Sequence, residues 1–206
     1  MAIISALTSA LLQLLVVGII TFLWWLIAAR KKAPYLTWIG LYRPKIERTR
    51  LFLLVATLAL LWIPLLMGLL LPSFVDTADT AASQFTGAGL AAIVPIILYA
   101  FIQTGLSEEI LFRGFLTKRL SSWMGFSVGN IIQGLLFGLL HGVLFYQIAG
   151  LLGATLIGVL TGALGWLFGY MNEKLANGSI VPSWIIHSLS NFSVALVAAF
   201  NVNQLS

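Results

Sequence analysis

The fold is decided by one long apolar stretch, residues 90–120, which reads LAAIVPIILYAFIQTGLSEEILFRGFLTKRL. This stretch is long enough to cross a bilayer, because a spanning helix needs about 20 predominantly apolar residues. It nevertheless contains Glu108, Glu109 and Arg113. An ionisable side chain inside a membrane costs about 2.5 kcal/mol or more, so such residues are functional candidates by default. The stretch therefore predicts a membrane-spanning helix that carries a functional site.

The composition of the whole chain points to the same class of protein. Its 206 residues are 60% hydrophobic and 8% charged, whereas soluble domains carry about 25% charged residues. A disordered chain is excluded as well, because disordered chains are polar and highly charged. Because cysteine is absent, a disulfide framework, a thiol nucleophile and a Cys-ligated zinc site are also excluded. The sequence predicts an all-α polytopic membrane helix bundle in a lipid bilayer.

Six apolar runs predict about six transmembrane helices, which we expect to form a single domain over residues 1–206. The fourth and fifth runs are joined so closely that they must form a helical hairpin, and small residues recur every fourth position along both, a spacing that lets backbones approach in lipid. Residues 73–89, which include Asp76 and Asp79, are expected to form an exposed loop. The six runs cover residues 3–29, 51–71, 90–120, 129–147, 149–171 and 181–202.

The basic residues predict the orientation in the membrane. Ten of the eleven Lys and Arg residues fall in three connections, at residues 30–50, 118–119 and 174. With six spans these connections share one side, which the positive-inside rule makes cytoplasmic, so both termini are expected outside. The formal net charge of +5 is then explained by the basic residues that set the orientation in the membrane. Nucleic acid is therefore not expected as a partner.

Polar residues in two other runs are expected at a depth similar to that of the first glutamate. At a rise of 1.5 Å per residue, Glu108 lies about 15 Å from the cytoplasmic end of its helix, His141 about 18 Å and Asn191 about 13 Å. His187 precedes Asn191 by four residues, so both can face one cavity. Three helices are thus expected to bring polar groups together in the cytoplasmic half of the bundle.

The two adjacent glutamates are expected to differ. Glu109 and Arg113 are four residues apart and share a helix face, so they can form an internal ion pair. Glu108 is rotated by about 100° from that face and has no basic partner on its own helix. Phe137 precedes His141 by four residues, which places an aromatic ring one turn before the imidazole.

A carboxylate near two imidazoles and an amide suits hydrolysis by activated water. Glu108, polarised by His141, could remove a proton from water, and His187 and Asn191 could stabilise a tetrahedral oxyanion. Glu108, His141 and His187 are also a conceivable three-ligand set for a divalent metal such as zinc. The sequence leaves metal-assisted and metal-free water activation open, and it requires no cofactor.

Three motifs carry a family resemblance. Residues 108–113 match EExxxR, residues 137–141 match FxxxH and residues 187–191 match HxxxN. In order and spacing they resemble the CAAX protease and bacteriocin-processing (CPBP, or Abi) family of intramembrane endopeptidases, over a core of about residues 90–200. The resemblance implies that Glu108 is the catalytic base, with His141 holding the water and His187 and Asn191 stabilising the oxyanion. It implies supporting roles for Glu109 and Arg113, and a membrane-associated peptide or protein as substrate in a prokaryotic cytoplasmic membrane.

Two functions of other classes remain as alternatives. An ion- or proton-coupled transporter could use Glu108 and the histidines as a relay, although the internal repeats typical of transporters are not visible. A non-catalytic immunity or scaffold protein could share the same fold, although intact motifs argue against it.

Overall fold

The computed structural model describes residues 2–66, 73–74 and 80–200, and every regular element within these ranges is helical. A short 3-10 helix, Ala81–Phe85, precedes the fourth of the main helices. The main helices are α1 (Ala2–Ala28), α2 (Tyr35–Trp38), α3 (Thr49–Leu65), α4 (Gly89–Met124), α5 (Phe126–Leu175) and α6 (Val181–Ala199).

The predicted all-α membrane bundle is confirmed. In the described part of the chain, α4, α5, α6 and most of α1 are long and apolar enough to cross a membrane, while α3 is shorter. α5 consists of two arms, because the backbone at Gly150 is non-helical, with φ 64° and ψ −179°, and each arm is long enough to span a membrane. Each of the six predicted runs therefore lies on a helix, except that residues 67–71 of the second run and 201–202 of the sixth are outside the described residues.

The hairpin formed by α5 packs at backbone distance, as its glycine spacing predicts. A Cβ atom added at Gly134 would lie 2.9 Å from the carbonyl oxygen of Gly162, and one added at Gly158 would lie 3.0 Å from that of Gly138. Without a hydrophobic effect in lipid, such close approach is what holds neighbouring helices together. The two arms, residues 126–149 and 151–175, form one wall of the bundle.

The connections that carry the basic residues meet at one end of the bundle, which we call the basic end. The Tyr42 hydroxyl donates to the carbonyl of Asn177 at 2.6 Å, and Lys118 Nζ donates to the carbonyl of Gly178 at 2.7 Å and pairs with Glu173 at 2.6 Å. Burial and the Glu173 carboxylate raise the pKa of the Tyr42 hydroxyl, so it remains a donor. These contacts fix the start of α6 against the end of α4.

Residues 80–89, which fall in the exposed loop predicted over 73–89, and the first residues of the third run differ from an open loop. They fold into short helical turns in which Ala82, Phe85 and Ala92 are buried against Ala195 and Ala199, near the end of α6. The small residues that suggested a loop instead allow this segment to pack closely on the bundle. The two aspartates predicted in this loop, at positions 76 and 79, are outside the described residues.

The middle of α4 is wound more loosely than an α-helix. Leu98–Leu106 and Glu109–Thr117 are π-helical. The hydroxyls of Thr104 and Thr117 follow this winding, because each donates to the carbonyl five residues earlier, at 3.0 and 2.9 Å. π-helical turns are rare and occur frequently at functional sites. Here they carry the EExxxR motif.

Candidate active site

Glu109 is a fully buried carboxylate whose two oxygens are both engaged. Oε1 lies 3.0 Å from Arg113 and 3.1 Å from His187 Nδ1. Oε2 accepts a hydrogen bond from the Ser183 hydroxyl, which itself accepts from Asn172 Nδ2 at 2.6 Å. The expected pair with Arg113 is therefore present, and Glu109 additionally connects α4 to α6.

Arg113 is 1% exposed and lies in an aromatic pocket. Its guanidinium carbon is 4.2 Å from the centre of the Phe137 ring and 5.2 Å from that of Phe168. The faces of aromatic rings attract cations, most strongly where water is excluded. A Cβ atom at Gly165 would lie 3.2 Å from the guanidinium, so the absence of a side chain there makes room for Arg113.

His187 lies between the two glutamates. The Glu109 carboxylate, paired with Arg113, accepts the hydrogen bond from His187 Nδ1, so Nδ1 carries a proton and Nε2 is left for other partners. Nε2 lies 3.8 Å from Glu108 Oε2, beyond direct hydrogen-bond length. Glu109 thus fixes the orientation of the His187 ring, as a neighbouring carboxylate commonly does for a functional histidine.

Glu108 is the carboxylate that faces open space. Its side chain is 22% exposed, and its Oε2 atom accepts no hydrogen bond from the residues that the structure describes. A buried acceptor without a partner is costly, by about 1–3 kcal/mol and more for a charged group. Glu108 therefore lines the cavity with a carboxylate whose hydrogen-bonding capacity is not filled by the residues that the structure describes.

His141 is oriented by its own helix. Its Nδ1 lies 2.9 Å from the carbonyl oxygen of Phe137, and since a carbonyl only accepts, Nδ1 carries the proton. Nε2 is then the acceptor. The Phe137 ring connects the parts of the site, because it lies 4.4 Å from His141 and 6.3 Å from His187 between ring centres, besides covering Arg113.

Asn191 is oriented by α4. Its Nδ2 donates to the Thr104 hydroxyl at 2.9 Å. The single proton of that hydroxyl is directed at the carbonyl of Tyr99, so its oxygen is free to accept from the amide. One proton of the Asn191 amide remains for another acceptor. Thr104 thereby fixes which way this amide points.

A cavity of about 530 Å³ joins these groups, which is within the range of ligand-binding pockets, roughly 300–1,000 Å³. All four residues expected to be catalytic line it, as does Phe137, whereas Glu109 and Arg113 lie behind its wall. Glu108 lies on α4, His141 on the first arm of α5, and His187 and Asn191 on α6.

The ligand set considered for a metal is not assembled. Within residues 2–66, 73–74 and 80–200, no three His, Asp or Glu side chains are grouped so that they could hold a metal ion. The side chains present do not fit a three-ligand site formed by Glu108, His141 and His187.

Sequence reasoning missed the residues that hold the site from outside the motifs. Ser183 anchors Glu109, Asn172 anchors Ser183, and Thr104 anchors Asn191. One signal was available for Ser183, since it precedes His187 by four residues and so shares a helix face with both His187 and Asn191. No comparable signal marks Thr104, because its contact joins two helices.

Comparison with known proteins gives one match. The chain matches the family model described as type II CAAX prenyl endopeptidase Rce1-like over residues 90–193, just over half of its length. The matched range contains all seven residues of the three motifs. Neither the curated proteins nor the solved structures contain a match to this chain. The motif-bearing helices and this match lead to one conclusion: the chain belongs to the Rce1-like family of type II CAAX prenyl endopeptidases, and it is a protease formed by a bundle of membrane helices.

Proposed function

We propose that this protein is a glutamate-dependent intramembrane endopeptidase that hydrolyses a peptide bond in a membrane-associated peptide or protein. The observation that carries the proposal is the difference between its two adjacent carboxylates. Both oxygens of Glu109 are engaged, by Arg113, His187 and Ser183. Glu108 instead lines the cavity, and its Oε2 atom has no hydrogen-bond partner among the described residues. A free carboxylate beside imidazole and amide groups is what activation of water requires.

In this mechanism Glu108 removes a proton from a water molecule in the cavity. The water is held between the Glu108 carboxylate and Nε2 of His141, which is an acceptor because Nδ1 is bonded to a carbonyl. As the proton moves to Glu108, the water oxygen attacks the carbonyl carbon of the scissile bond. Holding the water in place supplies part of the rate enhancement, because positioning removes the entropic cost of a bimolecular encounter.

The tetrahedral intermediate is stabilised by Asn191, whose second amide proton is free to donate to the oxyanion. His187, which the sequence paired with Asn191 in this role, acts here as a proton carrier instead, because its proton is on Nδ1, toward Glu109, and its Nε2 has none to donate. The proton taken by Glu108 passes to Nε2 of His187, 3.8 Å away. Doubly protonated His187, held by Glu109, then donates to the leaving amine nitrogen as the C–N bond breaks. The products are a carboxylic acid and an amine, and the enzyme returns to its starting protonation state.

The direct test is cleavage of a membrane-peptide library by purified protein, with and without a chelator. Glu108→Gln is the critical variant, and the wild-type protein purified in parallel is its control. We expect the wild type to cleave equally with and without chelator, and Glu108→Gln not to cleave. Normal cleavage by Glu108→Gln would overturn the assignment of the base, and loss of wild-type cleavage on chelation would require a metal in the mechanism.

We further propose that the protein lies in a prokaryotic cytoplasmic membrane with the basic end in the cytoplasm and both termini outside. The proposal is supported by the grouping of Tyr42, Lys118 and Glu173 with the other connections at that end, together with the positive-inside rule. A reporter fused at residue 47 or 175 is expected to be cytoplasmic and one at residue 78 exported. An exported reporter at residue 47 would reverse the orientation.

A further inference from the structure

The cavity extends from the motif residues in one direction only. On the three motif-bearing segments, α4, the first arm of α5 and α6, the lining residues begin within the motif and continue away from the basic end. On α4 they lie within 99–112, on the first arm of α5 within 137–145, on the second arm within 157–164, and on α6 within 187–194. The cavity therefore reaches towards the end of the bundle where α1 begins and α6 ends.

The other direction is closed by packed side chains. Arg113, Thr117, Ile39 and Ile180 lie between the motif residues and the basic end, and each is at most 1% exposed. Ile39 and Ile180 belong to one apolar cluster with Ile110, on α4 itself. Close-packed interiors of this kind leave few voids that could hold a water molecule. In the part of the chain that the structure describes, these packed side chains separate Glu108 from the basic end.

A row of polar side chains continues the cavity to the opposite end. A second cavity, of about 320 Å³, shares Gln84, Tyr99 and Gln103 with the first. It is lined on α1 by Ser5 and Ser9, while Gln13 lines the first cavity. Positions 5, 9 and 13 are spaced by four residues, so they share one face of α1.

These observations lead us to infer that water and substrate reach Glu108 from the end of the bundle opposite the basic loops, along the polar face of α1. Since the positive-inside rule places the basic loops in the cytoplasm, the substrate is a segment of peptide at the outer face of the membrane. This inference rests on the proposed function for its substrate, but the position of the route does not depend on catalysis.

The lining also indicates the chemistry of the segment that binds. Among residues 2–66, 73–74 and 80–200, Glu108 is the one acidic side chain that lines the cavity, and no Lys or Arg lines it. The amides of Gln13, Gln84 and Gln103 can donate to and accept from a peptide backbone, while Leu140, Leu144 and others supply apolar surface. The cavity suits an extended peptide with uncharged side chains, and the charge of Glu108 disfavours acidic ones.

The natural absence of cysteine allows a test with single introduced thiols. Gln13→Cys places a thiol on the route, and Leu12→Cys places one at the same depth on a side chain that is 58% exposed on the outside of the bundle. Because the thiolate is the reactive form, a thiol in lipid reacts slowly with a charged, membrane-impermeant methanethiosulfonate reagent. Gln103→Cys provides a second position on the route, and Glu47→Cys marks the basic end.

In intact cells we expect Gln13→Cys and Gln103→Cys to react at least about tenfold faster than Leu12→Cys, and Glu47→Cys to react only in inverted vesicles. Equal rates for Gln13→Cys and Leu12→Cys would overturn the inference, as would labelling of the route positions from the basic side alone. Adding Glu108→Gln leaves the labelling unchanged, so this result stands even if no cleavage is found.

Cleavage by the labelled protein then tests the substrate's path. A bulky adduct on Gln13→Cys is expected to reduce cleavage at least about tenfold relative to the same variant before labelling, while treated Leu12→Cys keeps its activity. Full cleavage by completely modified Gln13→Cys would show that the peptide arrives by another path and would overturn this part of the inference. Absence of cleavage before labelling would contradict the proposed function instead.

Discussion

The two adjacent carboxylates of the EExxxR motif lie on two sides of α4 that have different surroundings. On the buried side, Glu109 is surrounded by Arg113, His187 and Ser183 and is fully buried. On the cavity side, Glu108 has an oxygen without a hydrogen-bond partner in the described part of the chain. Adjacent residues of one type thus have opposite surroundings. The carboxylate that has all its partners stabilises the structure, and the carboxylate that lacks a partner is available for catalysis.

The largest effect is expected from neutralising the cavity-side carboxylate. Glu108→Gln keeps the size of the side chain but removes the base, so cleavage should fall by at least about 10²-fold, the lower range for a positioned general base. Its melting temperature in detergent should be equal or higher, because relief of a strained catalytic group commonly stabilises a protein. Cleavage rate and melting temperature are measured on the same preparation. A variant that melts early would place Glu108 among the structural residues.

The buried side should respond in the opposite way. Glu109→Gln leaves Arg113 as an unpaired buried charge, which costs about 3–5 kcal/mol, so low yield and early melting are expected. The matched control is Glu109→Gln combined with Arg113→Met, since replacing both members of a buried pair with neutral groups is often harmless to stability.

The double variant separates the two tasks of Glu109. We expect it to regain stability but not activity, because the anchor of His187 Nδ1 is still missing. A stable Glu109→Gln single variant would show that Arg113 does not depend on this carboxylate. A fully active double variant would show that Glu109 does not orient His187.

A smaller effect is expected at the oxyanion site. Asn191→Ala should lower kcat by about 10²–10³-fold, the effect of removing one oxyanion donor, with little change in KM. Steady-state kinetics separate these constants, since an interaction made only in the transition state lowers kcat. A rise in KM alone would assign Asn191 to substrate binding.

The smallest effect is expected at Thr104, which acts on the reaction only through Asn191. Thr104→Val removes the hydroxyl that orients Asn191, and we expect kcat to fall by about 5-fold, in line with a net hydrogen-bond contribution of about 1 kcal/mol. Thr104→Ser keeps the hydroxyl and should restore kcat. Failure of serine to restore activity would indicate that the threonine acts through its methyl group and packing.

The sequence predicts those features that depend on contacts along a single helix. The Glu109–Arg113 pair, the position of Phe137 beside His141 and the close packing of the α5 arms all follow from a four-residue spacing. The class of fold follows from composition alone. These features are confirmed because local spacing fixes them whatever the rest of the bundle does.

The remaining features depend on how the helices are rotated against one another. The π-helical winding of α4 changes which side chains face α6, and it brings Thr104 to Asn191 and Glu109 to His187. Periodicity assumes α-helical winding, so these pairs could not be read from spacing. The direction in which the cavity extends could not be predicted from the sequence either. It depends on which ends of the six helices pack tightly against one another.

The turn at Gly150 has a consequence for biogenesis. Only glycine readily adopts its positive φ, and the residues that follow, Leu151 and Leu152, are apolar and exposed. The tip of this hairpin offers no charged group that would resist passage through the hydrocarbon core. The two arms can therefore leave the insertion machinery as one unit, already joined through their glycine faces, with the surface that receives α4 and α6 formed before α6 has been synthesised.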